Sequence, residues 1–127
     1  MRRLSAAAAI AAVLTAACAA PRNTLGTSAS PCFRALPTAK AAVHQNGRFV
    51  GVRRVSRRRL ADLFRTEPPP GRDFCLVGFS GAFRPEQVDH PAGGRPGRYA
   101  AVVVTLRGTT ALQTFLVDRL PTHLRHR

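Results

Sequence analysis

The chain has 127 residues, 45% of them hydrophobic, and its 20 Lys and Arg against 6 Asp and Glu give a formal net charge of +14. That length supports one domain with one modest core. Six acids (Asp62, Glu67, Asp73, Glu86, Asp89 and Asp118) supply paired-carboxylate acid–base chemistry poorly, and neither a Gly-rich phosphate loop nor a CxxC pair is present, so no cofactor is expected.

The first element is a leader. Met1-Arg2-Arg3 is positive, Leu4 to Ala17 is uncharged and alanine-rich, and small residues crowd its end, the pattern of a secretory signal peptide. Its apolar stretch falls short of the about 20 residues that a spanning helix needs. One candidate cut is the A-x-A-like Ala17-Cys18-Ala19. Leu14-Thr15-Ala16-Ala17-Cys18 resembles the lipobox of bacterial lipoproteins, with Thr15 where that family usually carries leucine. The resemblance covers residues 1–18 only and implies cleavage before Cys18, whose thiol would take a lipid. Cleavage without lipidation and an uncleaved anchor stay open beside it. The expected organisation is a signal peptide over 1–17, a lipid-anchored tether over 18–30 and a single domain over 31–127, outside the cytoplasm and held at the cell membrane.

Of the three cysteines, assigning Cys18 to lipid leaves Cys32 and Cys75, an even number in a compartment where disulfides persist. The expectation is a Cys32–Cys75 bridge, against two unpaired buried thiols. Losing Arg2 and Arg3 with the leader lowers the net charge by two, from +14 to +12. A basic surface favours anionic partners. Lys40 is the only lysine, so much of the excess is arginine of the kind that codon bias in a GC-rich genome produces.

Within the mature chain, Ala19 to Ser30 is small and polar without periodicity, a tether. Thr38 to Gln45 follows Pro37 and precedes Asn46-Gly47, which predicts a helix stopped in the left-handed conformation. Arg48 to Val55 predicts a strand with Phe49, Gly51 and Val55 on one face and Val50 and Val52 on the other. Ser56 is the N-cap of a second helix ending near Arg65, with Leu60, Leu63 and Phe64 as its apolar stripe. Pro68-Pro69-Pro70-Gly71 breaks the chain. Phe74 to Phe79 is a buried strand, Arg84 to Gly97 a long loop, and Tyr99 to Leu106 with Ala111 to Val117 an antiparallel hairpin. The order α-β-α-β-β-β predicts a small α+β domain: two short helices on one face of an antiparallel sheet of about four strands, with a frayed C-terminal tail.

Three constellations bear on chemistry. Gly78-Phe79-Ser80-Gly81-Ala82 superficially matches the G-x-S-x-G nucleophile turn, but Ala82 replaces the second glycine, no helix follows and the chain is too short for a hydrolase sheet. His123 and His126 could share a helical face, yet two imidazoles without nearby carboxylates do not close a metal site, and a solvated tail is expected. Asp89-His90, adjacent in a loop, receives no role.

The most distinctive cluster is Arg53, Arg54, Arg57, Arg58 and Arg59, whose guanidinium forks suit phosphate and carboxylate oxygens. The last three fall in a helix first turn, where the dipole disfavours cations. A solvated face competes with a binding patch at these positions. Specific nucleic-acid recognition is not expected, since there is no Trp and only one Tyr to stack on bases. The functional expectation is a non-catalytic envelope lipoprotein that contacts anionic phospholipid or wall polymer through these arginines. The alternative is a small hydrolase or metal-binding protein using Ser80 or His123 and His126.

Overall fold

A computed structural model of the chain describes residues 30–121. It forms a small α+β domain. Helices α1 (Ser30–Phe33) and α2 (Leu36–Ala42) precede strand β1 (Arg48–Ser56), helix α3 (Arg57–Phe64), strand β2 (Asp73–Phe83), a 3₁₀ turn (Pro85–Gln87), and strands β3 (Gly97–Thr105) and β4 (Ala111–Val117). The four strands lie in chain order, every pair antiparallel.

β1, β3, β4 and α3 sit where the residue pattern predicts them, whereas β2 runs four residues past the expected Phe79, to Phe83, and α1 has no counterpart in the pattern. Ser56 caps α3, its Oγ accepting from the Arg59 N–H at 3.1 Å, and the helix stops at Arg65 in the left-handed conformation (φ 50°, ψ 45°). The first helix differs. α2 starts at Leu36 with Pro37 inside its first turn, and it ends before the predicted Asn46 because His44 (φ 54°) and Gln45 (φ 64°) are already left-handed. Gly47 completes the reversal (φ 87°), and there the packing admits only glycine: a Cβ would lie 2.5 Å from the Phe83 ring and 2.8 Å from the Ser80 carbonyl oxygen.

The helices cover both faces of the sheet, not one. Alternation along β2 sends Cys75, Val77 and Phe79 to one side, with Val102 and Val104 of β3, and there they meet Cys32, Ala35, Ala39 and Val43 of the α1–α2 segment. Phe74, Leu76, Ala101, Val103 and Phe115 point the other way, where Leu60 of α3 is fully buried among them. A sheet whose central strands are apolar on both sides must be covered on both sides.

In β1 the expected alternation is also broken. Phe49 pairs with Phe79 but Gly51 with Gly78, so Val50 is an extra, bulged residue. The bulge puts Phe49 and Val52 on the disulfide side and Val50 with the opposite core. Phe49 meets Phe79 edge-on, ring centroids 6.4 Å apart.

The predicted loop after β2 is long but well tethered. Val88 is buried against the α2 side, and the Asp89 N–H donates to the Ala42 carbonyl at 2.8 Å. The chain then runs along the outer edge of β4: the Thr114 N–H donates to His90 O, the Ala92 N–H donates to Thr114 O, and the buried Thr114 Oγ1 donates to Asp89 O at 2.8 Å. This segment covers part of the β4 edge, whereas β1 forms the other border of the sheet with exposed Arg48, Arg53 and Arg54.

Cys32 and Cys75 are joined in a disulfide, with Cα atoms 5.3 Å apart, and both are fully buried. The bond fastens α1 to the middle of the sheet across 43 residues of sequence, and loop-closure entropy makes it worth about 4 kcal/mol. Reduction is expected to remove roughly that much stability, read as a lower denaturant midpoint in the presence of a reductant. An unchanged midpoint would refute the assignment. On the other face, Leu60→Ala should destabilise by about 2–5 kcal/mol through the cavity it leaves, while exposed Arg58→Ala should stay within about 0.5 kcal/mol in the same urea titration.

Candidate functional site

Cys18, His123 and His126 lie outside the described residues. Among the described residues, no helix is long and apolar enough to cross a membrane.

The five arginines come together at one corner of the molecule, where β1 passes directly into α3, and all five are exposed. They form a ridge rather than a pocket. Arg53 and Arg54, paired with Leu76 and Cys75, alternate to opposite faces of the sheet, and Arg57, Arg58 and Arg59 step around the first turn of α3 by about 100° each. The ridge is partly engaged within the chain. Arg54 Nη2 lies 3.0 Å from Asp73 Oδ2, an exposed pair of the kind that contributes about 0–1 kcal/mol, and Arg57 Nη1 donates to the Pro69 carbonyl at 2.8 Å. No acid occupies the first turn of α3, so the conflict between its arginines and the helix dipole stands. Its local relief comes from the Ser56 cap and the Pro69 carbonyl.

Ser80 lies inside β2, opposite Arg48 on one side and Tyr99 on the other. The strand runs on to Phe83 with an irregularity between Ser80 and Phe83, and it leads into the short Pro85–Gln87 turn. The strand-to-helix elbow that would project a serine nucleophile is therefore not formed around Ser80. Nor do Asp89 and His90 act on each other through their side chains: Asp89 Oδ1 lies 2.9 Å from Nε2 of His44, a pair about half exposed, while His90 contributes its carbonyl to β4. Sequence reasoning missed the His44–Asp89 pair because its members stand 45 positions apart and meet only when the loop docks on the end of α2. Among the described residues, no group of three His, Cys, Asp or Glu could hold a metal ion.

A second feature had no sequence signal. A cleft of about 490 Å³ opens where the end of α3 crosses β4 and faces the glycine-bearing loop. Leu63, Phe64, Phe115 and Val117 supply its apolar surface, and Arg65 and Arg95 supply two cations. The Phe64 and Phe115 rings are stacked, centroids 4.1 Å apart and nearly parallel. Another hollow, of about 640 Å³, lies beside Phe83 and Gly97, where Arg84 and Arg98 are accompanied by the carboxylate of Asp118. The residues of the first cleft come from three separated segments, which is why no local motif announces it.

The chain matches no family model, no curated protein and no solved structure at a significant level.

Proposed function

We propose that this protein is an exported lipoprotein: residues 1–17 are removed, Cys18 carries the lipid, and the domain serves as a non-catalytic binding module at the outer face of the cell membrane. The observation that supports this reading best is the buried Cys32–Cys75 disulfide. Disulfides of this structural kind belong to oxidising compartments, and the pairing leaves Cys18, behind its hydrophobic leader, as the remaining cysteine of three. Ser80, set within a strand, gives the hydrolase alternative no geometric support. Fatty-acid labelling of the producing cells should tag the protein, and Cys18→Ala should abolish the label; a variant that still labels defeats the proposal.

A lipid at Cys18 would confine the domain. Eleven residues, 19–29, separate Cys18 from the start of α1 at Ser30, and a flexible tether of that length would have an r.m.s. reach of about 18 Å. A single acyl modification anchors more firmly when basic residues face anionic lipid or polymer, each contributing about 1 kcal/mol before screening. The β1–α3 ridge is the natural contact, through Arg53, Arg54, Arg57, Arg58 and Arg59. In co-sedimentation of the unlipidated Cys18→Ser chain with anionic vesicles at low salt, replacing Arg57, Arg58 and Arg59 by Gln should weaken binding about tenfold or more. Unchanged binding would mean that the ridge is merely solvated.

A further inference from the structure

We propose that the cleft between α3, β4 and the Gly93–Gly94 loop is a binding site for a small amphiphilic anion, a molecule with one carboxylate or phosphate head and an apolar tail. This goes beyond the anchoring role above and does not depend on lipid at Cys18.

Three observations carry it. The cleft, at about 490 Å³, falls within the roughly 300–1,000 Å³ typical of small-molecule sites. Its two kinds of surface match the two ends of such a ligand. The half-buried Leu63, Phe64 and Val117, with buried Phe115 stacked beneath Phe64, offer apolar area that an acyl chain can cover, while the exposed Arg65 and Arg95 line the cleft as its two cations and no carboxylate of the described residues does so. The C-terminus of α3 carries about half a negative charge and opposes an anion, but two full cations outweigh it.

The geometry of the rim is the third observation. Arg65 is the left-handed residue that ends α3 (φ 50°), its N–H donating to the Ala61 carbonyl at 2.8 Å, and the same helix end lines the cleft. Facing it, Gly93 and Gly94 are not demanded by packing, since a Cβ added at either would meet nothing within 4 Å, and neither has a positive φ. That wall of the cleft is therefore low and without side chains, so the apolar floor stays reachable from solvent.

The test uses the full chain carrying Cys18→Ser, purified without detergent. Decanoate titrated by calorimetry should bind one site with a Kd of roughly 0.1 mM or tighter, with amide NMR shifts concentrated at Leu63, Phe64, Gly93, Gly94 and Arg95. Neutral decanol and short acetate should each bind at least about tenfold more weakly, because each satisfies only one end of the site. Decyl phosphate in a parallel titration distinguishes the source: tighter binding than decanoate indicates a phospholipid-type head, weaker binding a fatty-acid type. R65Q/R95Q should weaken decanoate about tenfold while leaving decanol unchanged. Should the double variant lose decanol as well, R95Q alone, in an exposed loop, decides by the same comparison. The proposal is overturned by the absence of saturation near 1 mM on the scale of the expected affinity, by equal affinity for acetate, by R95Q binding decanoate as the parent does, or by the same amides shifting with protein concentration alone, which would make a second copy the occupant.

Discussion

Everything in this domain depends on two central strands that have no polar face. β2 and β3 present buried apolar side chains above and below, from Phe74 to Phe79 and from Ala100 to Val104. Water cannot be allowed on either side of such a pair, so the flanking segments must be placed above and below it. α1 and α2 close one side, where small residues (Ala35, Ala39 and Ala42) let the helices approach closely, and α3 closes the other with Leu60, Leu63 and Phe64. The two coverings are secured differently. One is bolted to the sheet through Cys32 and Cys75; the other rests on packing, a serine cap and the direct continuation of β1 into the helix.

This asymmetry shapes the two surfaces. The disulfide side is further tied down by Thr38 Oγ1, which donates to the Gly108 carbonyl at the hairpin turn at 2.6 Å. On the α3 side the helix is only eight residues long and ends above β4, short of covering it. Half-buried Val117, beside the Phe64 ring stacked over Phe115, becomes the floor of the cleft. The loop after β2 walls the cleft on its far side by running along the β4 edge and arriving beside it with Gly93, Gly94 and Arg95.

How much the residues reveal on their own depends on the range of the forces concerned. Strand positions, the Ser56 cap and the helix stop at Arg65 arise from side-chain alternation and from groups three residues apart, so they were legible. The cysteine pairing was legible by parity. The bulge at Val50 was not, because one extra residue shows only in how β1 registers against β2, and it exchanges the faces of every position beyond it. The placement of the helices on both sides was implicit in the unbroken apolar run FCLVGF, yet the side each helix chooses depends on the disulfide and on chain direction. The His44–Asp89 pair and the cleft depend on a loop rich in Pro and Gly, whose local pattern says only that it is irregular.

The β1 border has a consequence of its own. A free strand edge is a template on which another chain can add hydrogen bonds, and β4 avoids this where His90 and Ala92 bond to it. β1 has Arg48, Arg53 and Arg54 exposed along its length instead. Two copies of this chain meeting border to border would crowd these arginines, which alternate above and below the sheet, around one seam, at a Coulomb cost that grows as water is squeezed from between them. Charge thus takes at β1 the protective part that the docked loop takes at β4.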